Sequence, residues 1–75
     1  MSEIGLRAAR AIREMAKNNE TSVAFEMSCL KAHQSQINQY ERCISDPGAA
    51  ILANMARNGY DVIYILTGER GTNAD

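Results

Sequence analysis

The chain has 75 residues, 45% of them apolar and 23% charged, with a formal net charge of −1. That length holds one domain, and the apolar fraction is that of an ordinary soluble globular protein, which excludes a disordered chain. The acidic balance excludes a generally basic protein that coats nucleic acid without regard to sequence.

Charge is unevenly spread. Residues 7–42 carry Arg7, Arg10, Arg13, Lys17, Lys31 and Arg42 against four carboxylates, whereas residues 46–75 carry two basic and four acidic side chains. The first half can therefore present a mildly positive face. Cys29 and Cys43 are too few for a disulfide framework, and no histidine cluster accompanies them, so reduced thiols are expected and a zinc site is not. No secretory leader opens the chain, and no apolar run approaches the ~20 residues of a membrane span. A cytoplasmic protein without metal or cofactor is the expectation. A core this small supplies roughly 3–5 kcal/mol, so self-association is an attractive way to bury more surface.

Along the chain, residues 3–18 read as a helix, with Ala8, Ala11, Ile12 and Met15 forming one apolar stripe. Ser2 and Glu3 can cap its start, and Asn18-Asn19 is a reasonable stop. Thr21 or Ser22 offers an N-cap oxygen to a second helix, 23–30. Its Val23, Ala24, Phe25, Met27, Cys29 and Leu30 are apolar nearly all round, which predicts a central position. Residues 33–42 form a third helix in which only Ile37 and Tyr40 are large and apolar. Asp46-Pro47-Gly48 predicts a fourth start, with Asp46 as N-cap and Pro47 at the first helical position. It runs through 49–58 with Ile51, Leu52 and Met55 inward, and Gly59 stops it. Asp61 caps a fifth helix, 62–66, which ends at Thr67-Gly68; its Val62, Ile65 and Leu66 read as core, and Tyr64 and Ile63 as a dimer contact. Residues 69–75 have no apolar footing and read as a flexible tail.

The third helix carries the chemistry. Gln34, Ser35, Gln36, Asn38 and Gln39 both donate and accept hydrogen bonds, and charges stand only at its end. A soluble helix normally carries Glu and Lys there. A short apolar helix followed by such a polar one is the arrangement of a helix-turn-helix, whose second helix lies in the DNA major groove. Groove reading needs mixed donors and acceptors, and Gln or Asn can pair with adenine N6 and N7. With Ile37 and Tyr40 inward, Gln34, Ser35, Asn38 and Gln36 face outward and Gln39 lies on the flank. His33 is either a phosphate or base contact or a plain surface residue. Lys31 and Arg42 are either phosphate contacts or ordinary surface charge, and Arg13 and Lys17 have the same standing. Gly68-Glu69-Arg70-Gly71 lacks the Gly-Lys-Ser/Thr ending of a phosphate loop. The carboxylates are scattered, so nothing points to an enzyme.

These segments resemble a known family. Ile37-Asn38-Gln39-Tyr40-Glu41-Arg42, then Asp46-Pro47, Ile51-Leu52, Met55-Ala56 and Asp61-Val62-Ile63-Tyr64-Ile65-Leu66-Thr67-Gly68-Glu69 are similar to the XRE family of phage repressors and Cro-type regulators. The likeness covers residues 36–70 well and 7–17 loosely. It implies an all-α, compact five-helix, lambda-repressor-like DNA-binding domain over 1–68, binding a symmetric operator as a homodimer. Four departures stand out. Glu20-Thr21-Ser22-Val23 replaces the usual Gly-Leu-Thr-Gln, and Ser22-Val23 in place of Thr-Gln removes a side chain that in the family often binds phosphate, with Ser22 remaining a candidate DNA contact. Glu26-Met27 replaces an inward Leu-Ala pair in the gap-free register, or Phe25-Glu26 does if one residue is inserted. Lys31 and Cys43 stand where the family has glycines. The competing expectations are a protein-interaction module on the same fold, meeting an antirepressor or toxin, and the head of a longer repressor.

Overall fold

The longest helix organises the molecule because the side it buries is built almost entirely from small residues. A computed structural model describes residues 3–70 as five helices: α1 (Ile4–Asn19), α2 (Val23–Cys29), α3 (Gln36–Glu41), α4 (Ala49–Arg57) and α5 (Val62–Thr67). The described residues contain no strand, so the expected all-α architecture is what forms. None of these helices is long and apolar enough to cross a membrane. The expected Ser2 cap and most of the expected tail, 71–75, lie outside the described residues.

Helix α1 packs against α2, α3 and α5, and α4 packs against α5. Its buried stripe is Gly5, Ala8, Ala9, Ile12 and Ala16, while Ala11 and Met15 are only half-buried. The stripe expected from the apolar residues alone was therefore turned by about one position. Small side chains mark the inward face because three helices approach it at once. The fully buried Met27, Leu30, Tyr40, Met55 and Ile65 complete the core around Ile12. The central position expected for α2 belongs to α1 instead. Helix α2 buries Glu26 and Met27, with Leu30 buried at its C-cap, and it exposes Ala24, Phe25 and Cys29.

Helix ends explain the connections. Glu20, Lys31 and Cys43 have φ of 57°, 60° and 59°. At each, the next residue's N–H reaches back five residues: Thr21 to the Ala16 carbonyl, Ala32 to Met27 and Ile44 to Gln39, at 2.8–3.0 Å. Gly59 ends α4 the same way through Tyr60 N–H to Met55. This left-handed cap closes orphan carbonyls and reverses the chain. Lys31 and Cys43, where the resemblance has glycines, are two of its left-handed residues.

Two expected starts are displaced. Pro47 precedes α4 rather than opening it, and Gly48 stands at the cap without a side-chain bond. Asp46 turns away from α4, and its Oδ1 accepts the N–H of Gly5 at 3.0 Å, so it serves the first turn of α1. Helix α3 begins at Gln36 rather than His33. The His33 Nδ1 accepts the Ser35 N–H at 3.2 Å, a side-chain bond that competes with helical pairing and leaves a tighter turn over 33–36. Leu66, read as core, is 43% exposed, because α5 is short and buries Ile65.

The Asp46 bond brings the segment after α3 hard against α1. A Cβ on Gly5 would stand 2.5 Å from the Ser45 carbonyl oxygen and 3.1 Å from Tyr40 Cα, both backbone atoms. Gly5→Ala is expected to lower stability by about 1–3 kcal/mol, as overpacking does, despite the ~1 kcal/mol gain in helix propensity. Urea unfolding measures it. A variant as stable as the parent would mean that α1 and this segment do not touch.

Candidate functional site

The uncharged residues singled out in the sequence come together on one surface. Ile37 and Tyr40 are buried, 5% and 1% exposed, and they fix α3 to the core. That anchoring turns Gln34, Ser35, Asn38 and Gln39 to solvent, with Gln36 half-buried beside them. Lys31, His33 and Arg42 flank them and are also exposed. Val23 and Ala24 of α2 meet Gln34, Ser35, Ile37 and Asn38 around an open depression.

Several of these side chains already have partners. Ser22 Oγ accepts the Phe25 N–H at 3.0 Å and caps α2; the other candidate cap, Thr21, instead hydrogen-bonds the Glu26 carboxylate. Ser35 Oγ lies 2.8 Å from the His33 Nδ1. Gln39 accepts from the Ser45 hydroxyl at 3.4 Å, which holds it on the flank. Gln34, Gln36 and Asn38 have no side-chain partner among the described residues, and their amide groups are free to engage a ligand.

The electrostatics of the surface differ from those of the whole chain. Between Thr21 and Ser45 the carboxylates are Glu26 and Glu41. Glu26 is buried, 6% exposed, with the Thr21 hydroxyl on it. Met27 faces inward beside it, and Phe25, at 52% exposed, does not. Glu41 is clamped by Arg13 of α1, whose Nε and Nη2 donate to its two oxygens, the latter at 3.0 Å. The Arg13 hydrogen bond is the main cause that holds the Glu41 carboxyl below its usual range, and the same bond raises Arg13. Lys31 and Arg42 have no such acidic partner among the described residues. Glu20 and Asp46 lie just outside the stretch, and both are exposed.

Several structural residues escaped sequence reasoning. Arg7 donates from Nε to the Ile65 carbonyl at 2.9 Å and from Nη2 to Leu66 at 3.4 Å, so it caps α5 from α1. Asn54 donates to the Leu30 carbonyl at 2.9 Å and ties α4 to the end of α2. Both bonds span long sequence separations and leave no local signal. The hydroxyls of Tyr40 and Tyr60 are buried without a hydrogen-bond partner among the described residues. Burial raises both phenols; for Tyr60 the charges of Glu26 and then Cys29 add to it, to about 12. Tyr64, expected to face outward with Ile63, is half-buried under the Arg70 guanidinium, 3.9 Å from the ring centre. Ile63 is 64% exposed. Among the described residues no three His, Cys, Asp or Glu side chains cluster as metal ligands.

No family model matches the chain, and no curated protein or solved structure matches it.

The Arg13–Glu41 pair has a pH signature. A carboxyl held low in the folded protein adds stability above its unfolded range and loses it as pH falls through the lowered folded value. The pair is solvent-exposed, so its worth is discounted to under about 1 kcal/mol. Glu41→Gln is expected to flatten the acid limb of the stability–pH curve by that amount, read from urea midpoints at stepped pH. An unaltered acid limb would show that the pair adds nothing.

Proposed function

We propose that the protein is a sequence-specific DNA-binding regulator, in which α2 and α3 act as a helix-turn-helix within a lambda-repressor-like arrangement. One observation carries this reading. The α3 surface exposes uncharged amide and hydroxyl groups, and the carboxylates between Thr21 and Ser45 are either buried or paired with a cation. A duplex presents phosphates at the groove edges and mixed donors and acceptors within it. Lys31, His33 and Arg42 would meet the former, with Ser22 at the α2 end; Gln34, Ser35, Gln36, Asn38 and Gln39 would meet the latter. Arg13 supports the reading by masking Glu41. The resemblance read in the sequence over residues 36–70 points the same way.

On this reading the chain acts as a homodimer on a symmetric operator, its half-sites about one helical turn apart, and represses or redirects transcription. Ile63 and Leu66, one turn apart on α5 and both exposed, supply the apolar contact. Tyr64 joins it only by displacing Arg70. A second reading, a protein-interaction module on the same frame, is favoured by Phe25, which stands exposed on α2 with Cys29 one turn on.

Two tests follow. Selection from random DNA should enrich a symmetric site whose affinity falls as salt rises from about 50 to 200 mM, with the modest slope that few phosphate contacts per protomer give. On that site Gln34→Ala and Asn38→Ala should each cost about 1–3 kcal/mol without loss of fold. Salt-insensitive or sequence-indifferent binding would sink the reading. For the assembly, Ile63→Asp should shift sedimentation toward monomer and weaken operator binding at least about tenfold. A variant that stays dimeric and binds as before would remove α5 from the contact.

A further inference from the structure

We infer that the depression between α2 and α3 is a seat for the C5-methyl group of thymine, so that each half-site contains an A·T pair read at this point. The inference rests on the DNA-binding reading above and adds the identity of a base. Val23, Ala24 and Ile37 supply the apolar side of the depression, and Gln34, Ser35 and Asn38 supply its polar side, which is the larger share of the exposed surface. Ala24 is exposed, Val23 half-buried and Ile37 buried, so the hydrocarbon is graded from surface to core. None of the six lining residues is charged.

The four base-pair orientations differ in what they place in the major groove. Cytosine offers an amino donor and guanine two acceptors, but thymine alone adds a methyl group, while its partner adenine shows an acceptor beside a donor. An amide presents one donor and one acceptor, which fits adenine N7 and N6 with two bonds. Gln34 and Asn38, whose amides have no partner among the described residues, stand beside the apolar lining. One A·T pair can therefore engage both features, the methyl on hydrocarbon and the adenine edge on an amide. A G·C pair would leave the hydrocarbon against a polar edge and give the amide no matched pair of bonds. The preference is for shape and apolarity at a single atom, and a single-atom substitution in DNA probes it.

The experiment uses the full chain and the duplex enriched by selection, with each thymine replaced in turn by deoxyuridine, which removes only the methyl group. At one thymine per half-site the affinity should fall about fourfold, the effect of one buried methyl-sized group. Substitution at the other thymines should change little. Ala24→Leu should fill the depression and abolish the difference between thymine and uracil at that position. Ala24→Ser adds a hydroxyl without bulk and should shrink the same difference if the leucine variant binds too weakly to measure. Thermal unfolding checks that both variants fold. Uracil tolerated at every position, or an enriched site without thymine, overturns the inference while leaving DNA binding intact. Absence of any salt-sensitive DNA binding overturns both.

Discussion

The narrowness of α1 is the constraint on which the other helices depend. Gly5, Ala8, Ala9 and Ala16 keep its inner face close to the backbone, and Ile12 alone projects deeply. Three helices can then reach one central rod within a chain of 75 residues. Close approach has a polar consequence as well as an apolar one. With no Cβ at Gly5, the Ser45 carbonyl and the Asp46 side chain lie against the first turn of α1, and Asp46 satisfies an N–H that the helix leaves unpaired. Arg7, half a turn further on, closes carbonyls of α5 in the same manner. The segment after α3 and the end of α5 are thus fastened to one element by side chains that replace missing backbone partners.

That fastening bears directly on α3. Six residues make too short a helix to persist in isolation, since nucleation is costly and few internal bonds repay it. Its form is imposed from outside: Ile37 and Tyr40 below, Arg13 on Glu41, and the turn of Cys43 behind, where Ile44 and Ser45 bond back to Gln39. Because tertiary contacts supply the order, the outward positions are released from any duty to stabilise the helix. They can carry Ser, Asn and Gln rather than the Glu and Lys pairs that an exposed helix uses to support itself. The polar composition and the dependence on α1 are two sides of one arrangement.

Helix number, their order and the inward pair Ile37 and Tyr40 were legible because they rest on local periodicity and on turn chemistry. Asp61 and Gly68 act at α5 as their residue types suggest. What was illegible had non-local causes. Asp46 looked like a cap for the helix after it and became a partner for a helix 41 residues earlier. The apolar count of α2 promised a central helix, but Glu26 turned inward to meet Thr21 while Phe25 turned out. Apolar type signals burial only on average, and one satisfied polar group on the inner face is enough to rotate the reading. Glu20, Lys31 and Cys43 hid their left-handed caps because nothing in a glutamate, lysine or cysteine announces positive φ. Two of those three were visible only as replacements for glycine in the family likeness.

The charge pattern explains why an acidic chain can be read as a DNA-binding one. Net charge governs long-range attraction, whereas contact is governed by charges that a partner meets at close range. The proposed contact surface loses its carboxylates to burial and pairing, and it keeps Lys31 and Arg42 at its edges. So few free cations would release few counterions, so attraction to DNA at large stays weak. A neutral amide surface then gains disproportionately from matched bases, because its bonds form only where donor meets acceptor. On the proposed reading, discrimination between sites grows as indiscriminate attraction shrinks, so a net acidic chain is compatible with choice among sequences.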